Sequence, residues 1–396
     1  GAVPSGEWSK VSSSNMSNGC CEYTNSKNRQ RNVLHCFCEC DKVDESFDKM
    51  LRGEVVSDNQ WENMLEDIAD RIRVPWPGGA KKVSIYIFLV PILYNAIFFV
   101  ASLSYNLTLV MVTTLVAYFL RSSILAMNSV QSARSKFFLC WTYWSIFYGI
   151  KEYYNAIRPL LLFRGGQPSS YSLEVFFCDG LCFAITALAV ALQVVDPGRV
   201  PGVKPPQKSD PISLRNYYLM HKEHRLKYCR ITNMPIGRFD HFCIWISRPI
   251  GYKNHRLFIL FLTFLSFGSS LFSYYLYSKV GNNQNHKLRN YDYYNFSRMY
   301  HENRSTYHLS MCLYVGVCFI GIFGLLARQL YLVSFNLTTY ESIHFKTLFS
   351  DDLDLSWDQQ VEYLKVMAGS ATRRAPRRSV HARIGEFNVV RNFLSF

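Results

Sequence analysis

The chain has 396 residues, enough for two or three ordinary domains. Apolar residues make up 49% and aromatics 16%, while charged residues reach only 18% against about 25% in soluble domains, which argues against a plain soluble fold. The formal charge of +14 suits either nucleic acid or basic loops beside a bilayer. The basic residues flank apolar runs and no nucleic-acid-binding motif is present, so a lipid bilayer is the expected partner and nucleic acid is not.

In chain order, residues 1–82 form a polar N-terminal region with five of the twelve cysteines, Cys20, Cys21, Cys36, Cys38 and Cys40. Such scattered cysteines are no disulfide framework. The cluster has three readings: a metal site, acyl acceptors beside a membrane, or structural thiols. Trp61, Met64, Leu65, Ile68 and Ile72 fall at helical spacing, so an amphipathic helix is expected over 59–72. No secretory signal is expected, since the first strong apolar run begins near Val83.

A hydrocarbon core about 30 Å thick takes roughly 20 apolar residues per helix. Six runs are candidates: Val83–Ser104, Asn106–Leu120 (the weakest), Phe137–Tyr154, Leu173–Val195, Leu257–Tyr277 and Leu309–Ala327. Backbone groups in lipid must pair internally, so an all-α polytopic membrane protein with about six transmembrane helices is expected. The organisation read from this is 1–82 cytosolic, 83–195 four spans, 196–256 a cytosolic region, 257–339 two spans with a lumenal loop, and 340–396 cytosolic. Residues 196–256 carry twelve Lys and Arg and residues 340–396 carry eight, which puts both on the cytosolic side with both termini. Asn295 and Asn303 then lie in the lumenal loop as glycosylation acceptors.

The middle polar block ends in Asp240-His241-Phe242-Cys243, just before the fifth run. A thiolate is a strong nucleophile. A neighbouring His takes or holds its proton, and an Asp on the other ring nitrogen orients that His. These three residues are expected to meet on one tight turn. By spacing alone the string is weak, because Asp-His-x-Cys arises readily by chance.

The surroundings sharpen it. Tyr228–Phe258 reads YCRITNMPIGRFDHFCIWISRPIGYKNHRLF and resembles, without a gap, the cysteine-rich signature of DHHC palmitoyltransferases, at Cys229, Asp240, His241, Cys243, Trp245, Gly251, Asn254 and Phe258. Asp196-Pro197-Gly198 resembles the family's DPG motif, Thr338-Thr339-Tyr340-Glu341 its TTxE motif, and the segment around Asn392 its C-terminal aromatic-and-Asn motif. The N-terminal strings, from Cys20-Cys21-Glu22-Tyr23 to Gly79-Ala80-Lys81-Lys82-Val83, resemble the six-span subtype that interacts with neuronal nitric oxide synthase.

The resemblance implies a protein S-palmitoyltransferase of the endoplasmic reticulum or Golgi. Palmitoyl-CoA or another long-chain acyl-CoA would be its substrate, and membrane-associated proteins bearing cysteines its partners. It implies Cys243 as nucleophile, His241 as acid–base and Asp240 as the orienting carboxylate. Arg238, Arg248, Lys253, Arg256 and Trp245 are candidates for acyl-CoA, and the bland reading of the four cations is lipid-headgroup contact. Thr338, Thr339, Glu341, Asn254 and Asn392 would support the site from behind, or serve as ordinary caps and turns. The family's zinc ligands are depleted: Phe242 stands in place of the second His, and Arg215, Tyr218, Tyr228, Thr232, Pro235 and Pro249 occupy other ligand positions, leaving Cys229. No metal is therefore expected, and packing through Phe239, Phe242, Ile244, Trp245 and Ile246 is expected to replace it. An inactive DHHC-like scaffold is the alternative. A transporter is the more distant rival, resting on Glu152, Glu174 and Asp179 near or within spans.

Overall fold

The computed structural model describes residues 22–24, 30–32, 48–49, 51–52, 72–75, 79–128, 136–162, 173–206, 225–282 and 306–344. The five N-terminal cysteines, the 59–72 helix short of Ile72, Arg215, Tyr218, Asn295, Asn303 and Asn392 lie outside these residues. The chain divides into two compact units, Gly1–Leu89 and Val90–Phe396.

The first unit contains two short antiparallel ribbons. Strand β1 (Glu22–Thr24) pairs with β2 (Gln30–Asn32), and β3 (Arg73–Val74) pairs with β4 (Lys81–Lys82). The amide of Ala80 donates to the carbonyl of Glu22 at 2.9 Å, which ties the ribbons together.

Helix α1 spans Tyr86–Ala101. It is followed by α2 (Tyr105–Asn128), α3 (Phe137–Glu152), a π-turn at Tyr153–Ile157 and α4 (Arg158–Leu162). Then come α5 (Leu173–Val194), α6 (His255–Asn282), α7 (Thr306–Ser334) and the short α8 (Thr339–Ile343). Every one of the six apolar runs is helical, as unpaired backbone in lipid requires. Among the described residues, four helices are long and apolar enough to cross a membrane: Tyr105–Ile124, Leu173–Val194, His255–Ser278 and Thr306–Ser334. The run read as weakest is one of these four. Helix α1 has only 16 residues and α3 breaks into the π-turn, so length and composition do not by themselves carry the count of six.

Helices α5, α6 and α7 share one apolar core through Leu181, Ile185 and Leu192, Ile259 and Leu262, and Leu326 and Val333. Gly268 permits the close approach of α5 and α6, since a Cβ there would stand 2.8 Å from Ile185 Cδ1. The acidic residues read as transport candidates are locally engaged. Asp179 accepts from Tyr153 Oη at 2.9 Å and from Arg158 Nε at 3.3 Å, and Glu152 lies 3.5 Å from His308 Nε2.

Between α5 and α6 the chain forms two small hairpins of one plan. β5 (Lys227–Cys229) pairs with β6 (Met234–Ile236), and β7 (His241–Cys243) pairs with β8 (Arg248–Ile250). Each first strand ends in Cys, each four-residue loop ends in a residue with positive φ (Asn233 at 53°, Ser247 at 51°), and each second strand runs into Pro-Ile-Gly. The hairpins seat on the end of α5. Asp196 Oδ1 accepts from the amides of Gly198 (2.7 Å) and Arg199 (2.9 Å), turning the chain back along β6, where Gly237 N donates to Gly198 O at 3.0 Å. Gly251 has no room for a side chain: a Cβ would lie 2.4 Å from the carbonyl oxygen of Pro197.

Candidate active site

Side chains alternate across a strand, so residues two apart share a face. His241 and Cys243 are the ends of β7 and therefore project together, while Phe242 projects oppositely. The expected tight turn is corrected here: the strand's period of two juxtaposes His and Cys, and the register with β8 (His241 opposite Ile250, Cys243 opposite Arg248) holds them there.

Asp240 lies just ahead of the strand and is 1% exposed. Its Oδ2 receives His241 Nδ1 at 2.6 Å, Gln329 Nε2 at 3.0 Å and Thr339 Oγ1 at 3.0 Å, and its Oδ1 accepts from the amide of Thr339 at 2.5 Å. Burial alone would raise this carboxyl's pKa. The facing imidazoles and the Thr339 amide outweigh it and hold the pKa well below the usual carboxylate range. Burial likewise pulls His241 down, but the bond to Asp240 and the neighbouring Cys243 dominate and push it up to about 10. With Asp240 accepting at Nδ1, Nδ1 keeps its proton and Nε2 is left for the sulfur.

The support behind Asp240 comes from the segment after α7. Thr338 caps α8: its hydroxyl accepts from the amide of Glu341, and the Glu341 carboxylate accepts from the amide of Thr338 at 2.9 Å, a capping box. Thr339 is thereby aimed at Asp240, and the amide of Tyr340 donates to the Asp240 carbonyl at 3.0 Å. Glu341 also accepts from Arg225, at 2.6 Å from Nε and from Nη2, and both residues are buried. Asn336 accepts at its carbonyl and its Oδ1 from Arg225, and at Oδ1 from Arg238. The readings of Thr338, Thr339 and Glu341 as caps and as supports of the site thus describe one arrangement. Asn254 is fully buried; its Oδ1 accepts from the amide of Gly251 and its Nδ2 donates to the carbonyl of Pro249, closing the end of β8 onto α6.

The cations divide. The Arg238 guanidinium is spent on Asn336, and Arg248 donates to the carbonyl of Val195 at the end of α5 (3.2 Å). Lys253 and Arg256 are exposed. Trp245 packs edge-on against Phe119 and Phe138, with centroids 5.2 and 5.0 Å away, so its contacts are apolar. Arg225, Gln329, His255 and Asn336 escaped the sequence reading. A Gln near the end of an apolar run was the available signal for Gln329, since polar side chains in such runs need partners.

Cys243 is 5% exposed and lines a cavity of about 500 Å³. The cavity runs between α2, α3, α5, α6 and α7, from Cys243, Trp245 and Phe258 to Tyr153, Cys178 and Tyr275. Phe258 and Tyr275 are 17 residues apart on α6, about 25 Å at 1.5 Å per residue. Its walls are overwhelmingly Leu, Ile, Val and aromatic side chains, which suit a long hydrocarbon chain and repel a charged one.

Residues 210–346 match the family model described as DHHC palmitoyltransferase. The chain carries a domain of the DHHC family. It is 26% identical over 294 residues to Palmitoyltransferase ZDHHC23-B of Danio rerio, covering 62% of this chain and 66% of that protein. It is 27% identical over 291 residues to Palmitoyltransferase ZDHHC23 of Mus musculus, with the same coverage, and 29% identical over 138 residues to Protein S-acyltransferase 8 of Arabidopsis thaliana, covering 33% of this chain and 31% of that protein. The chain thus spans 66% of the length of the first two relatives. Its apolar helices and the matched domain make the chain an integral membrane protein.

The family resemblance raises the fit of zinc. Structural zinc takes four Cys or His donors. Cys229 instead lies in an apolar cluster with Ile236, Phe239 and Tyr340, bordered by Ile231, Met234 and Phe242. Lys227 lies over the Tyr340 ring at 3.5 Å, and burial pulls its pKa down to about 7. Among the described residues no group of three His, Cys, Asp or Glu could hold a metal, and the surroundings of Cys229 do not fit one. Of the side chains expected to pack in its place, Phe239 and Phe242 belong to this cluster, whereas Trp245 and Ile246 belong to the helix core.

Proposed function

We propose that this chain is a protein S-acyltransferase that takes a long-chain acyl group from acyl-CoA onto Cys243 and passes it to cysteines of membrane-associated proteins. One observation carries the reading: Cys243 belongs both to the strand face that holds His241 and to the wall of the long apolar cavity. The acyl chain lies in the cavity, with its thioester at the end where α6 begins. The Cys243 thiolate attacks the thioester carbonyl, and a new S–acyl bond replaces the bond to CoA. CoA leaves as a thiolate and takes the proton held on His241 Nε2. His241 then accepts the proton of an incoming substrate thiol, whose sulfur attacks the acyl-enzyme and restores the Cys243 thiolate. Asp240 holds the imidazole throughout. Lys253 and Arg256, the exposed cations of the candidate set, meet the CoA phosphates. The reading includes the six crossings expected from the apolar runs, the cytosolic termini expected from Lys and Arg placement, and the residence in the endoplasmic reticulum or Golgi that the family resemblance implies.

The test is labelling with an alkyne-tagged palmitoyl-CoA. The intact chain is expected to gain a hydroxylamine-labile label that persists when Cys20, Cys21, Cys36, Cys38 and Cys40 are replaced and vanishes in Cys243→Ser. Folded intact protein that takes no label on Cys243 would reduce the chain to a membrane scaffold.

A second prediction concerns metal. Removing a structural zinc forfeits about 10–16 kcal/mol and unfolds the module that holds it. The apolar cluster around Cys229 makes the catalytic hairpins independent of such an ion. Incubation with a strong chelator is therefore expected to leave the melting temperature and the label unchanged, with no stoichiometric zinc by elemental analysis. A chelator-induced loss of label reversed by zinc would refute this.

A further inference from the structure

A polar side chain on a membrane helix joins the catalytic loop, and neither the mechanism above nor the family motifs assigns it a part. Gln329 lies on α7, is 1% exposed and uses its whole amide. One Nε2 proton goes to Asp240 Oδ2 at 3.0 Å and the other to Thr339 Oγ1 at 3.0 Å, while Oε1 accepts from His255 Nε2 at 3.0 Å. His255 is the first residue of α6 and is fully buried. This fixes proton directions. An amide donating to Thr339 Oγ1 occupies a lone pair there and leaves that hydroxyl's own proton for Asp240 Oδ2. Oδ2 therefore receives three donors, His241, Gln329 and Thr339, from β7, α7 and the α8 cap. With fewer donors the carboxylate could turn about its bond and release the imidazole.

We infer that Gln329 is a positioning residue of the acyl-transfer site, setting the rotation of the Asp240 carboxylate and through it the aim of His241 at Cys243. The inference rests on the acyltransferase reading for its kinetic arm alone. Hydrogen bonds to charged groups are worth about 1.5–3 kcal/mol, so the loss is expected at roughly 10- to 100-fold in rate.

The experiment compares the intact chain with its Gln329→Leu and Gln329→Glu variants in detergent. Three quantities are read: the single-turnover rate of Cys243 acylation by palmitoyl-CoA, its half-saturating concentration, and the rate of Cys243 alkylation by iodoacetamide without acyl-CoA. Gln329→Leu is expected to slow both rates by roughly 10-fold or more with half-saturation within about twofold, because Gln329 does not line the cavity. Gln329→Glu is expected to match Leu at alkaline pH and to recover towards the intact rate as pH falls, because the protonated acid again donates to Asp240. A role confined to stability would lower the melting temperature and leave the rates of the folded protein intact, which overturns the inference. So would a Glu variant whose ratio to the intact rate is independent of pH. If the intact chain takes no acyl group, the acyltransferase reading fails and the alkylation arm still decides the part played by Gln329.

Discussion

Asp240→Asn is expected to slow acylation of Cys243 by roughly a thousandfold or more while leaving the hairpins folded. The asparagine keeps the shape of the carboxylate, but its amide presents a donor as well as an acceptor where His241, Gln329 and Thr339 all aim protons. His241 loses the partner that pushes it up to about 10 and falls back towards the ordinary imidazole value near 6.5 or below, since it is largely enclosed. Across neutral pH the imidazole then loses the proton that it presents to Cys243. The intact chain is expected to hold its acylation rate between about pH 7 and 9, inside the window set by a His241 pKa of about 10. The residual rate of Asp240→Asn should decline over the same window. The sign for stability follows. A raised histidine pKa contributes stability that is fully present below about 6.5 and is lost as pH rises through about 10. A variant with a flat profile and nearly intact rate, measured by stopped labelling over this range, would remove Asp240 from the mechanism.

The second large effect concerns the buried ion pair. Arg225→Met leaves the Glu341 carboxylate 1% exposed with its countercharge gone. Removing one partner of such a pair costs about 3–5 kcal/mol. In a unit of this size that lowers the melting temperature on the order of 10 °C. The acylation rate should fall with it, because Glu341 also holds the Thr338 cap that aims Thr339. Arg225→Met combined with Glu341→Leu removes both charges and should regain part of the loss, though not the capping box. Single variants that melt as the intact chain does would show that Arg225 and Glu341 do not hold α8 in place.

The legible part of the site was the part written in consecutive residues. Asp240, His241 and Cys243 stand within one strand and its lead-in, so a four-residue string carries them. The TTxE and DPG strings are similarly local, and the structure gives each one a turn to make. What could not be read is whatever depends on a distant partner. Arg225 meets Glu341 across 116 residues, and Gln329 meets Asp240 across 89. Arg238 and Arg248 are candidates in sequence for CoA phosphates or lipid headgroups, and a guanidinium in sequence does not disclose the bonds to Asn336 and to the Val195 carbonyl that the fold gives them. The repeat that places Cys229 and Cys243 at like ends of two hairpins, each followed by Pro-Ile-Gly, was present in the letters and went unread. The helices were legible because lipid imposes helix on any apolar run. The π-turn at Tyr153–Ile157 was not, since nothing in Tyr-Tyr-Asn-Ala-Ile distinguishes it from ordinary helix.

The bonds from Thr339 and Tyr340 to Asp240 also impose an order on biosynthesis. The ribosome delivers Cys243 and its histidine well before the segment that holds their carboxylate, and α6 and α7 must both be inserted in between. A nascent chain halted after the first of these helices would display a thiol without its clamp. If the chain is the acyltransferase proposed above, acylation of Cys243 is expected only once α7 is seated, and a chain halted before α7 is expected to take no acyl group.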